Sequence, residues 1–346
     1  MIDKNTVLIL GAGASHPFGY PIGSGLKKKI LEKANYPLNR LNDVNNQETV
    51  HNEKISLIGS WDLIPRYLLK NCGFNPDQIS QFNTQFAGSH KASIDSFLEN
   101  RAEYLTLGKA LIAMSIFEFE SYDLLFNDDE QNWYKYLLRN IHDNWDNFPE
   151  NKLSIITYNY DRSFEYFLLN DLAMTYGKNN KVIKDKLKLI PFEHVHGAID
   201  SLPSDYFPGY GKQYKQDFTG ENINNAMQNL HLIYEEAEVK KAYGKVHEIL
   251  NKAEHIFILG FGFDKRNLER LDLLKNASKA QIFATRTGIS NLEVNTINRK
   301  FEHKIIFSRD ETHDIVNFFR REVNLNGDVS FDTRKFNVQQ WNPNNI

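Results

Sequence analysis

An amide and a carboxylate stand two residues apart in the segment TYNYD, which directly follows an apolar run beginning at Leu153. In extended backbone Asn159 and Asp161 would point the same way. Together they could orient a water molecule and hold a carboxamide or a ribose hydroxyl. For Asp161 alone we favour a second interpretation, a cap on a helix that begins at Arg162.

A histidine pair follows the next apolar run, in the segment HVHG from His194 to Gly197. Histidines at this spacing could bind a metal, but no third ligand of matching spacing is evident, so we predict no metal site. A lone histidine at a strand end is more often structural than catalytic. The neighbouring glycine and the position at the end of a strand favour a general base at His196.

Two glycine-containing turns follow other apolar runs, GAGAS from Gly11 and GFGFD from Gly260. Glycines after a buried strand let the backbone approach a phosphate, and the helix start that follows offers free N–H groups. The dinucleotide pattern G-x-G-x-x-G is incomplete, because His16 stands at its third glycine. A glycine turn without a ligand is the alternative. Arg286 also follows a strand, and it could face an adenosine end or equally form a surface salt bridge.

The positions of the apolar runs predict the elements that hold these residues. The predicted strands cover residues 7–10, 153–158, 189–196, 255–259, 281–284 and 304–307. The predicted helices cover residues 26–34, 58–69, 96–126, 133–145, 162–172, 226–250, 290–299 and 314–323, with one more capped by Asp264. Strands alternating with helices predict an α/β fold, a Rossmann-like parallel sheet covered by helices on both faces. In such sheets ligands bind at the carboxyl ends of the strands.

One domain is expected over residues 1–346, with a large helical insertion at 57–146 and a polar C-terminal tail at 324–346. Within the insertion, Ser96 and Glu99 fit a capping box that opens a helix. Residues 71–90 show no convincing period. Residues 178–189 alternate lysine with apolar residues, which predicts an exposed strand or hairpin, and residues 201–220 form an aromatic loop long enough for a lid or wall.

Composition excludes several classes of protein. A net charge of −3 gives no electrostatic case for nucleic acid or an anionic membrane as the main partner. A single cysteine, Cys72, excludes an intramolecular disulfide framework and a cysteine-rich zinc module. No window approaches the roughly 20 apolar residues of a membrane span, and no signal peptide is evident, so we expect a cytoplasmic protein.

Taken in order, the segments GAGAS, TYNYD, VHG and LGFGFD resemble the sirtuin NAD-binding fold. Sirtuins carry GAG-x-S, Q-N-I-D, a catalytic histidine followed by glycine, and a G-[ST]-S-type turn, an order that here spans positions 7 to about 320. The resemblance implies that Asn159 positions the attacking water and the ribose, that Asp161 lies near the nicotinamide amide, and that His196 is the catalytic base. The expected cofactor-binding residues are Gly11, Ala12, Gly13, Ser15, Gly260, Gly262, Asp264 and Arg286.

The departures from the sirtuin pattern indicate which branch of the sirtuin family the chain resembles. Tyr158 replaces the usual glutamine, and the P-D-F-R segment is absent. The four-cysteine zinc module of protein deacetylases is impossible with one cysteine. The helical insertion and the segment SIDSFL instead resemble the bacterial sirtuin-like branch of anti-phage defence systems, whose members hydrolyse NAD. Asp95 could belong to the site, although a carboxylate at a helix start is the slightly favoured alternative.

The expected function is therefore NAD⁺ glycohydrolase activity, which yields nicotinamide and ADP-ribose and depletes NAD⁺ in anti-phage defence. NAD⁺ is expected as substrate, without a metal. A homo-oligomer or a partner defence protein of the helicase/ATPase or nuclease class is expected because such an enzyme must be restrained. The alternatives are a non-catalytic sensor of NAD or an ADP-ribose-type signal, a partner-docking subunit and, ranked lower, a protein deacylase.

Overall fold

A single parallel sheet forms the centre of the computed structural model, which describes residues 1–35, 68–69, 72–91, 93–141, 144–200, 214, 220–232 and 236–329. The strands are β1 (Thr6–Leu10), β2 (Leu153–Thr157), β3 (Phe192–His194), β4 (His255–Leu259), β5 (Gln281–Ala284) and β6 (Ile305–Phe307). They lie in the order β3-β2-β1-β4-β5-β6, and every neighbouring pair is parallel. This is the order of dinucleotide-binding folds, and the predicted Rossmann-like fold class is confirmed.

Helices precede and follow these strands along the chain. The α-helices of the described residues are α1 (Ala12–Ser15), α2 (Gly23–Ala34), α3 (Pro76–Gly88), α4 (Ile94–Leu98), α5 (Leu105–Phe117), α6 (Tyr122–Leu125), α7 (Trp133–Ile141), α8 (Ser163–Tyr176), α9 (Asn180–Leu187), α10 (Gly220–Asn229), α11 (Glu236–Asn251), α12 (Lys265–Leu271), α13 (Leu273–Asn276), α14 (Asn291–Lys300) and α15 (Ile315–Arg321). No helix in this part of the chain is long and apolar enough to cross a membrane.

Side chains of successive strand residues enter two separate hydrophobic cores, one on each face of the sheet. Leu8 and Leu10 of β1 join the core formed with α2, α3, α5, α7, α8, α10 and α15. Val7 and Ile9 join the core formed with α11, α12 and α13. This alternation is the period of a strand. It explains why β1 is apolar from Val7 to Leu10, because both of its faces are covered.

The helices between β1 and β2 surround α5, in the region where the sequence predicts an insertion. Residues 107–117 of α5 are all buried, which is typical of a helix that is apolar on every side. The predicted capping box at Ser96 is wrong, because Ser93 is the N-cap of α4 and its hydroxyl accepts the Ser96 N–H at 3.2 Å. The single helix predicted over 96–126 is divided into α4, α5 and α6.

Two further predictions of secondary structure are wrong. The lysine-rich segment forms helix α9, not a strand, because the Asn179 side chain caps it and Asn180 and Ile183 are buried one turn apart. The unassigned region contains α3, which a full capping box of Asn75 and Gln78 begins. The helix predicted at 226–250 is divided into α10 and α11. The helix predicted at 58–69, the loop at 201–220 and the tail beyond 329 lie almost entirely outside the described residues.

Candidate functional site

A cavity of about 710 Å³ lies at the carboxyl ends of β1, β2 and β4. Between β1 and β4 the order of the strands reverses, and this is where open α/β sheets bind their ligands. The volume is within the range of about 300–1,000 Å³ that is usual for small-molecule sites. Most of the predicted site residues line it, namely Gly11, Ala12, Ser15, Asn159, Asp161, His196, Gly262 and Asp264.

The two glycine turns contact each other through their backbones. The Gly13 N–H donates to the Gly260 carbonyl at 2.8 Å. Gly260 has a φ of +58°, and a Cβ there would lie 2.1 Å from the Ala14 nitrogen. Gly13 and Gly260 are therefore required by the packing of one turn on the other, and neither lines the cavity.

The backbone N–H groups of the first turn are mostly used within the protein. Those of Gly11 and Ala14 donate to Leu259 and Gly11 carbonyls, at 3.0 and 2.8 Å. The N–H groups of Gly11, Gly13 and Ala14 are thus not available to an anion. In the second turn, by contrast, no described residue accepts a hydrogen bond from the N–H of Phe261 or Gly262. The second turn therefore retains two adjacent backbone donors for an anion, and the Ala12 N–H of the first turn also has no acceptor among the described residues.

Like Gly23, which also lines the cavity, Gly262 is not explained by the packing or the backbone conformation of the protein. Its φ is not in the left-handed region, and no atom lies within 4 Å of the position that a Cβ would take. The residue lines the cavity. A glycine without a packing requirement fits a place where a ligand approaches the backbone closely.

The Asn159 side chain is held in one orientation by the first glycine turn. Its Nδ2 donates to the Gly11 carbonyl at 3.0 Å and to Ser15 Oγ at 2.9 Å. Because the carbonyl is only an acceptor, the atom facing it must be the NH₂ group. The amide oxygen is left as the acceptor for a water molecule or a hydroxyl.

The Asp161 carboxylate is used at the start of α8. Its Oδ1 accepts the backbone N–H of Ser163 at 3.0 Å and also the Ser163 hydroxyl. Burial raises the pKa of Asp161, and hydrogen bonds from Ser163 and Ser15 oppose that effect. The residue lines the cavity, but its contacts match the capping interpretation. Both Asn159 and Asp161 line this one cavity, although strand β2 itself ends at Thr157.

His196 lies in the cavity wall with two aromatic neighbours. Its ring contacts Tyr158 at a centroid distance of 5.6 Å and Tyr160 at 6.2 Å. Its Nδ1 has no hydrogen-bond partner among the described residues. Burial lowers the pKa of His196, although the charge of Asp95 acts in the opposite direction. The imidazole is therefore neutral at pH 7 and can accept a proton.

His194 has a separate, structural role. Its Nε2 pairs with Glu165, and its Nδ1 bonds to the Asn159 carbonyl at 3.1 Å. Burial lowers the pKa of His194, but the charge and hydrogen bond of Glu165 outweigh this, so the net shift is upward. Among the described residues, no group of three or more His, Cys, Asp or Glu could hold a metal ion.

Three cavity residues were not predicted from the residue spacing or were left uncertain. Tyr158 and Tyr160 line the cavity beside Asn159, directly after the end of β2. Tyr160 donates its hydroxyl hydrogen to Asp95 Oδ1. The segment SIDSFL was the only signal for Asp95, and α4 brings that carboxylate into the cavity.

The remaining predicted residues divide between the cavity and another part of the sheet. Asp264 lines the cavity, and its Oδ1 accepts the N–H groups of Arg266 and Asn267 at 3.0 and 3.3 Å, as expected for the cap of α12. Arg286 does not reach this cavity. Its guanidinium bonds to Asn291 and to the Arg309 carbonyl, and it lines a second cavity of about 500 Å³.

Comparison with known proteins adds no relative to this description. No protein-family model matches the chain, and no curated protein matches it. The resemblance to sirtuins therefore rests on the four sequence segments.

Proposed function

We propose that this protein is an NAD⁺ glycohydrolase of a sirtuin-like type, acting in bacterial anti-phage defence by depleting NAD⁺. One observation carries the proposal. The Asn159 amide, the neutral His196 imidazole and the open turn at Gly262 line a single cavity at the point where the strand order reverses. A dinucleotide is the ligand class that this position in the sheet favours.

Different residues of the cavity would bind different parts of NAD⁺. The second turn offers the N–H groups of Phe261 and Gly262 to the pyrophosphate, next to the start of α12. Asp264 would accept a hydrogen bond from a ribose hydroxyl. Arg286 has no part in this arrangement, because its guanidinium is directed to the other cavity.

The reaction breaks the bond between the ribose C1′ and the nicotinamide nitrogen, and the bonding electrons leave with the nicotinamide. The leaving group is already cationic, so no general acid is required. The ribose passes through an oxocarbenium-like state. The Asn159 amide oxygen orients a water molecule, and His196 accepts the proton as the water oxygen bonds to C1′.

Control of the enzyme is part of the proposal, since uncontrolled loss of NAD⁺ would kill a healthy cell. We propose that a homo-oligomer or a defence protein of the helicase/ATPase or nuclease class sets its activity. A protein deacylase would instead release nicotinamide only when an acylated peptide is present.

The test is to incubate the purified full chain with NAD⁺ and follow nicotinamide and ADP-ribose by chromatography. His196→Ala should lower the rate of release by at least about 100-fold, the usual effect of a lost general base. His303→Ala, an exposed histidine outside this cavity, is the matched control and should retain the wild-type rate.

Two results would contradict the proposal. Unchanged turnover in His196→Ala would remove the assigned base. No nicotinamide release from the wild type would contradict a hydrolase that is active as the isolated chain, and an increase in melting temperature with NAD⁺ would then favour the sensor.

A further inference from the structure

Helix α4 of the insertion places the carboxylate of Asp95 at the cavity. This carboxylate does not cap the helix. Ser93 is the N-cap, so Asp95 stands at the second helical position. No described backbone N–H donates to the Asp95 carboxylate. The hydroxyl of Tyr160 donates to Asp95 Oδ1 across a separation of 65 residues. The capping interpretation of Asp95 therefore does not describe where this side chain is directed.

The other carboxylates that line the cavity already have local structural partners. Asp161 accepts hydrogen bonds from Ser163, and Asp264 caps α12. Glu269 lies 3.6 Å from Lys265 on the same helix. Asp95 alone among these four is held by a residue that also contacts His196, since the Tyr160 ring packs against that imidazole.

The position of α4 is fixed from both sides of the cavity. Glu99, directly after α4, forms an ion pair with Arg266 of α12. Before α4, the Lys27 ammonium donates to the carbonyls of Ser89 and Lys91 at 3.0 and 2.9 Å. A carboxylate on a helix held in this way is preorganised, and fixed charges of this kind stabilise a transition state without reorganisation.

We propose that Asp95 is a catalytic carboxylate that stabilises the positive charge on the ribose during cleavage of NAD⁺, with Tyr160 as its positioning residue. The inference rests on the proposed hydrolase function and deepens it. As the C1′–N bond breaks, its electron pair neutralises the nicotinamide ring and the positive charge moves to C1′ and the ring oxygen. Asp95 faces this charge and takes up no proton or bond, while the proton of the water passes to His196.

The test compares Asp95→Asn with Asp77→Asn in the full chain. Asp77 is the matched control because it occupies the same second position of α3, after the N-cap Asn75, and lies outside the cavity. Asp95→Asn should lower kcat and kcat/KM together by at least about 100-fold, with ADP-ribose binding unchanged, since the lost interaction exists only in the transition state. Asp77→Asn should retain the wild-type rate.

Tyr160→Phe removes the hydroxyl that donates to Asp95 and leaves the carboxylate in place. It provides a second test of the inference in case Asp95→Asn does not fold. It should lower kcat by roughly tenfold, because the carboxylate keeps its charge and loses its orientation. Rates within about threefold of wild type in either Asp95→Asn or Tyr160→Phe would overturn the inference. Wild-type protein without turnover would instead reject the hydrolase itself, and the inference with it, so the two failures are distinguishable.

Discussion

The contact between the two glycine turns makes Gly260→Ala the most informative substitution for the fold. At Gly260 an added Cβ would meet backbone atoms, 2.1 Å from the Ala14 nitrogen and 2.3 Å from the Gly13 carbonyl carbon. Such atoms cannot rotate away as a side chain can. The substitution therefore forces the β1 and β4 turns apart or strains both of them.

Two effects combine in the expected loss of stability. An alanine held in the left-handed region costs about 1–2 kcal/mol, and overpacking a close contact costs about 1–3 kcal/mol more. The free energy of unfolding should thus fall by about 2–5 kcal/mol, a large part of the 5–15 kcal/mol typical of a domain. For a chain of this length, the corresponding loss of melting temperature is roughly 3–7 °C.

Two other glycines separate these effects in the same assay. Gly177 has a φ of +61° with open space around its Cβ position, so Gly177→Ala should show the backbone cost alone. Gly262 has neither restriction, and Gly262→Ala should leave stability unchanged or raise it by about 0.4–1 kcal/mol. Urea unfolding followed by circular dichroism measures all three variants. If Gly260→Ala loses no more stability than Gly177→Ala, the packing of the two turns does not have the energetic role assigned to it.

Two ion pairs, one buried and one partly buried, give further predictions. Arg162 bonds to both carboxylate oxygens of Glu120, at 2.7 and 3.1 Å, and both side chains are almost fully buried. Arg162→Met alone should cost about 3–5 kcal/mol in urea unfolding, and the double variant with Glu120→Leu should cost less, because no lone charge stays buried; equal losses would contradict this. The raised pKa of His194 means that its pairing with Glu165 stabilises the protein fully below about pH 6.5 and progressively less as the pH rises through the folded-state pKa. The melting-temperature difference between wild type and Glu165→Gln should therefore be larger at about pH 6 than at about pH 9, and a constant difference would refute the pairing.

The strands could be predicted because buried strands consist mainly of apolar residues. Strands β1 and β4 are buried throughout and apolar after their first residue, since both faces are covered. Helix α9 could not be predicted in the same way. A lysine side chain has a long apolar stem and a charged end, so lysine can occupy a partly buried helix position without appearing hydrophobic in the sequence. One of the two buried residues of α9, Asn180, is also polar, so the sequence shows no helical hydrophobic period. The alternation of lysine with apolar residues therefore predicts a strand over residues 178–189, whereas the tertiary contacts stabilise helix α9.

The candidate site could be predicted only as far as strand ends define it. Asn159 and His196 follow β2 and β3, and parallel topology brings them to one edge. Arg286 obeys the same rule after β5, yet Asn291 and the Arg309 carbonyl hold its guanidinium at another cavity. The rule identifies the edge of the sheet. The hydrogen-bond partners that direct each side chain are distant in sequence and follow no spacing.

The glycine motifs illustrate why a sequence pattern alone does not identify a ligand. Gly13 and Gly260 would be needed in any protein that packs these two turns together, whether or not a nucleotide binds. Gly262 has no such structural reason, and neither has Gly23, so these two cavity positions are where a requirement for glycine points to a ligand. The N–H groups of Phe261 and Gly262 have no acceptor among the described residues, although in the first turn the Ala12 N–H also has none. The case for a phosphate-bearing substrate thus depends chiefly on the second turn, although the first has the stronger sequence resemblance.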